Sequence, residues 1–286
     1  MGTPAKMGTP FALSQYITAE WDGVFWTKLW PYAGADDTVR KTVGPIYEHA
    51  VISKLKGVVY DSYTAQSVIG AINQAGGAKG KRLKLVPPEP AKDPNAAYTA
   101  ADDQYGASPE NAHPYQCVRD EAKACQYVQA RWTANGHGSD TKLHYNPYMD
   151  EAERTVVHEM VHALRHMLGK LDRAPTAGEL SEYEDEEEFF AMLVGNIYLS
   201  EMGGDDLRAS HKVLKELPAY LKTSAGFIGD HPYGKAARQL VKKLTEQCPD
   251  LCDRIAKFVP LTNASGAPVF NPIREYLKPD SNPTPP

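Results

Sequence analysis

His158, Glu159 and His162 belong to one HExxH stretch, His158-Glu159-Met160-Val161-His162. On a helix, residues four apart lie one above the other, so both imidazoles reach a single metal ion, and zinc suits such ligands. The glutamate beside the first histidine can reach a water held there and serve as general base. His166 continues the series. It is rotated ~80° from His158 and lies ~12 Å farther along the axis, too far for the same ion. It is expected behind the ligands or on the surface. A glycine at 165 and a histidine at 168 would extend the motif to a three-histidine set; the chain has Arg165 and Leu168 instead.

A third ligand must come from elsewhere. Six of the seven residues 182–188 are carboxylates, so one of them can be spared from solvation at a helix start for metal binding. On a helical wheel Glu184, Glu188, Ala191 and Gly195 fall within ~60° of one another, and the small residues would let another helix approach. Glu188 is the expected ligand, with Glu184 and Glu187 as alternatives. Glu187, rotated ~100° away, is expected only to add to a redundant charge run. Two histidines, one glutamate and an open position make a catalytic rather than a structural zinc set. An oxyanion donor is also needed, and Tyr145, Tyr183, His211 and His231 are candidates, with Tyr145 and His211 preferred.

The motif helix is expected to start near Asp150, with Glu153 three residues on, and to end at Gly169. Val156, Val157, Met160, Val161, Leu164 and Leu168 supply its apolar stripe. Residues 141–146 alternate like a strand, and a peptide substrate would add along that strand's edge. Strand, turn and HExxH helix follow the order of a zincin. Further helices are expected over 61–75, 115–131, 186–201, 206–222 and 234–258, with another strand over 81–86. Gly76-Gly77 and Gly203-Gly204 read as breaks. Residues 88–114 read as a long loop, a lid over the cleft, and His137 as a loop histidine near it. The aromatic cluster over 16–35 reads as packing surface. The fold class is α+β, mostly helical, with a small sheet packed on the HExxH helix. Residues 1–15 read as flexible, 16–275 as one zincin-like domain with a helical C-terminal part, and 276–286 as a disordered, proline-rich tail.

These residues resemble known families. Glu188-Phe189-Phe190-Ala191 is similar to the ligand segment of glutamate-ligand zincins, the gluzincins, in which an alanine often stands three residues after the ligand. Gly138 to Pro147, Val157 to Ala163 and Glu187-Glu188-Phe189 look like the effector metallopeptidases that bacterial secretion systems inject into other cells. Those include type III effectors that clip signalling kinases and peptidase domains on type VI spikes. The resemblance covers about residues 60–200. It implies Zn2+, proteolysis of target-cell proteins, and an immunity or inhibitor protein as a further partner. A non-catalytic zinc-bearing binding module and an amidase of cell-wall peptides remain as alternatives.

The chain has 286 residues, 42% of them hydrophobic, enough for a core, and a net charge of −5 that argues against nucleic acid. It has no apolar run of membrane-spanning length and no visible signal peptide, so secretion by a route without one, into or onto a target cell, is expected. Cys117/Cys125 and Cys248/Cys252 lie eight and four apart and read equally as buried thiols or local disulfides.

Overall fold

A computed structural model describes residues 11–21, 37–87, 98–101, 115–118, 126–129, 136–148, 152–210 and 215–278. Five strands make a mixed sheet in the order β1-β2-β3-β7-β4. They are β1 (Phe11–Ser14), β2 (Ile17–Ala19), β3 (Leu83–Val86), β4 (Tyr98–Ala101) and β7 (Thr141–His144). β2, β3 and β7 run parallel, and β1 and β4 close the two sides antiparallel. β5 (Tyr115–Val118) and β6 (Gln126–Gln129) form a separate antiparallel pair. The helices are α1 (Asp37–Asp61), α2 (Tyr63–Lys79), α3 (Ala152–Leu168), α4 (Glu186–Glu201), α5 (Ser224–Phe227), α6 (Pro232–Gln247), α7 (Pro249–Phe258) and α8 (Pro272–Leu277). This is an α+β arrangement dominated by helix.

α3 is the centre. It packs on α2, α4, β7 and β4, and Val156, Val157, Val161, Ala163, Leu164 and Met167 are all buried. Its end is closed as expected. Gly169 takes φ +65°, a conformation that glycine adopts without steric cost, and the Lys170 N–H returns to the Arg165 carbonyl at 2.9 Å. The segment before β7 is stitched beneath that end: the Ser139 N–H donates to the His166 carbonyl at 3.1 Å and the Gly136 N–H to the Gly169 carbonyl at 3.0 Å. Gly138, at φ +72°, lies so close to the Met167 carbonyl that a Cβ would overlap it. Motif helix and preceding strand are thereby held as one unit.

Several expectations are corrected. α2 runs through Gly76-Gly77 and ends at Gly80 (φ +67°); Gly76 is not a break but makes room for the Tyr16 ring, with which any Cβ would collide. Its start is set by Ser62, whose hydroxyl accepts from the Ala65 N–H, and by Glu201, whose carboxylate accepts from the Tyr63 and Thr64 N–H groups. Within 115–131, expected to be helical, the described residues are the strands β5 and β6. The described residues of 206–222 are not an α-helix either: Arg208 bridges Glu216, and among them Ala219–Leu221 makes a 3₁₀ turn. The helix expected over 234–258 is divided at Cys248-Pro249, where proline opens a new helix. β1 falls inside the expected flexible start, held by pairing with β2. α8 crosses the expected boundary at 275, capped by Asn271 and anchored by buried Ile273.

β7 is not an edge strand. β4, inside the expected loop, pairs with it antiparallel from Tyr98↔His144 to Ala101↔Thr141. Among the described residues no strand pairs with the outer side of β4. The rest of that loop lies outside the described residues, as do Asp150, His211, Cys125 and most of the aromatic cluster at 16–35. None of the described helices is long and apolar enough to cross a membrane.

Candidate metal centre

The buried faces of α3 and α4 meet at the HExxH motif. His158 and His162 turn their Nε2 atoms toward each other at 3.2 Å. The Glu188 carboxylate reaches across from α4, with Oε2 3.3 Å from His158 Nε2 and Oε1 3.5 Å from His162 Nε2. Asp185 sets the start of α4 by accepting from the Glu188 N–H at 3.0 Å. Glu188 is therefore in the first turn, one residue later than Glu187, and its phase is the one that meets the histidines. Glu184 precedes the helix and is exposed, so the wheel does not apply to it. A Cβ on Gly195 would meet nothing within 4 Å, so glycine there is not what lets the helices approach; Ala191 is fully buried.

Ligand atoms of His158, Glu159 and His162 also lie within 4.8 Å of one another, and this group could hold a metal ion. Two glutamates thus stand at one histidine pair. Glu159 is adjacent to His158 on the same helix, whereas Glu188 bridges both imidazoles from the opposite one. The spacing suits a small tetrahedral ion: metal–ligand bonds of about 2.0–2.1 Å give donor–donor edges of about 3.3–3.4 Å. The separations of 3.2, 3.3 and 3.5 Å are of that order, the last two ending on different oxygens of the Glu188 carboxylate.

Electrostatics tie the three groups together. Burial opposes ionisation of Glu188, but the two imidazoles outweigh it and hold its carboxyl well below the usual range. Burial likewise disfavours charge on His162, yet Glu188, with Glu159 and Glu187 behind it, tips its pKa above the ordinary value. His166 is buried. Burial first, then the charges of His162, Arg173 and Arg165, push its pKa down to about 3, and its Nδ1 has no hydrogen-bond partner.

Glu187 overturns the expectation of a redundant surface charge. It is fully buried and takes the Arg165 guanidinium in a two-pronged ion pair, Nε and Nη2 each 2.6 Å from a carboxylate oxygen. Its Oε1 also accepts from the Asp172 N–H at 2.7 Å. Arg165 donates further to the Lys170 carbonyl at 2.7 Å and to Gln247 Oε1 at 2.8 Å, and Phe190 covers its face at 4.4 Å. Sequence reasoning missed this pair, although Arg165 lies three residues past His162 on the same stripe. It also missed Arg173, which stands 3.2 Å from Asp185 and 3.7 Å from Glu188 at the partly exposed rim. Nothing in the spacing of the loop before α4 signals that role.

Of the proposed oxyanion donors, His211 lies outside the described residues, and Tyr183 and His231 are engaged elsewhere. The Tyr145 side chain is fully buried, and burial and then Glu153 raise its hydroxyl pKa. Tyr183 is buried with its hydroxyl 3.0 Å from that of Tyr233. His231 caps α6, accepting from the Gly234 N–H at Nδ1 and meeting the Gly226 carbonyl at 2.8 Å through Nε2. His137 is exposed. Cys248 and Cys252 are free, buried thiols.

No family model, curated protein or solved structure matches this chain, so its chemistry rests on its own residues.

Proposed function

We propose that this protein is a zinc-dependent peptide-bond hydrolase of zincin-like, glutamate-ligand type. The observation that carries this reading is the meeting of the His158, His162 and Glu188 side chains, with Glu159 beside them. The two histidines and Glu188 would hold the ion, the set expected of a catalytic rather than a closed structural site. Zinc, when bound, supplies Lewis-acid polarisation of the scissile carbonyl and lowers the pKa of a water toward neutrality. Glu159 takes a proton from the attacking water and passes it to the departing amine. Its side chain is buried, which limits competing solvent. Among the described residues no strand covers the outer side of β4, which packs beside α3, and an extended peptide would add there as a further strand. The resemblance to injected bacterial effectors makes proteins of a target cell the substrate class.

The test is Glu159→Gln. The variant is expected to retain the parent's zinc content and melting curve and to lose about 100-fold or more of the proteolysis, read as new protein termini in target cells. Undiminished cleavage by Glu159→Gln would refute the mechanism.

A further inference from the structure

We propose that the buried Arg165–Glu187 ion pair is a positioning device for the metal centre: it sets the rotation of α4 against α3 so that Glu188 faces His158 and His162. This rests on the reading of Glu188 as a ligand. The pair joins the two helices that carry the ligands. Arg165 follows His162 by three residues and His158 by seven, so all three share one stripe of α3. Glu187 immediately precedes Glu188, and a slip of one residue in α4 would turn Glu188 about 100° away from the histidines. The planar guanidinium meets both carboxylate oxygens at 2.6 Å, a fit that permits little rotation. Nη2 also meets the Lys170 carbonyl and Gln247, and Nη1 the Cys248 thiol at 3.6 Å, while the Asp172 N–H holds the carboxylate from the loop side. One buried pair thereby ties together α3, the segment after it, α4 and the α6–α7 junction.

An apolar pair of equal volume would serve stability as well or better, because a buried ion pair must offset the desolvation of both charges. Apolar side chains interdigitate, but they lack a directional bond that ties one residue of α4 to one residue of α3. The directional pair is suited to register, and its position beside Glu188 gives that register a use.

The experiment compares the full-length parent with Arg165→Met/Glu187→Leu and with Glu187→Gln. Zinc affinity is measured by competition with a chelator, and the visible absorption of each protein loaded with Co(II) reports ligand geometry. The double variant strands no charge but leaves the Asp172 N–H and the Lys170 carbonyl without these partners; it is expected to fold and to melt above Glu187→Ala, to bind zinc about tenfold or more weakly than the parent, and to show a weakened, shifted Co(II) spectrum. Glu187→Gln keeps the shape of the side chain, disrupts one prong, and is expected to shift affinity and spectrum in the same direction. It decides the question if the double variant does not fold. Parent-like affinity and spectrum in the variant that folds overturn the positioning role. Glu188→Gln separates the two levels: if it binds zinc like the parent, the ligand reading itself fails and the positioning role falls with it.

Discussion

Glu187→Ala removes one half of an ion pair whose two side chains are both 0% exposed. The guanidinium of Arg165 is then left in the interior with the Lys170 carbonyl, Gln247 and Cys248 but no counter-charge, and the Asp172 N–H loses its acceptor. Stranding one partner of a buried pair costs about 3–5 kcal/mol. In a protein of this size each kcal/mol moves the melting temperature by roughly 2–4 °C, so a fall of about 10 °C is expected. Glu182→Ala is the matched control, from the same run of carboxylates. Its partner Lys215 lies on the surface, with the two side chains 44% and 52% exposed, and its loss is expected to change stability by less than about 1 kcal/mol. The assay is urea unfolding followed by circular dichroism, with a chelator present so that metal binding does not enter. If the midpoints of the two variants coincide, the buried clasp between α3 and α4 is wrong.

Three further outcomes are expected. His158→Ala, His162→Ala and Glu188→Ala should each lose tight zinc binding in equilibrium dialysis; near-stoichiometric metal in any of them removes that residue from the ligand set. Between a folded pKa of about 3 for His166 and its ordinary 6.5, the unfolded chain binds the extra proton. The contribution of His166 to metal-free stability should therefore be present above pH 6.5 and be lost as pH drops, by about 2 kcal/mol at pH 5. His166→Leu should flatten the stability–pH curve between pH 5 and 7, and an unchanged slope there counts against a buried neutral imidazole. Gly76→Ala forces a Cβ into the Tyr16 ring and should lower stability by about 1–3 kcal/mol in the same urea assay; an unaltered midpoint means the strand hairpin does not pack there.

The sequence by itself determined the features that act within a turn or two of chain. The HExxH spacing put two imidazoles on one face, the apolar stripe of α3 marked a buried helix, Gly169 closed it, and the alternation over 141–146 marked β7. All of these depend on periodicity, which a single segment carries. Tertiary structure decided what depends on a partner far away in the chain. Glu187 and Glu188 are adjacent glutamates in one acidic run, and only the placement of Arg165 and the two histidines on α3 made one an ion-pair partner and brought the other to the imidazoles. Gly76 reads as a helix breaker until Tyr16, sixty residues earlier, occupies the space where its side chain would be. The sheet edge followed the same logic: β4 has little pattern of its own and exists as a strand because β7 offers it hydrogen bonds. Local spacing can nominate a metal site, but long-range packing assigned each carboxylate its place, because burial and charge pairing belong to the folded chain as a whole.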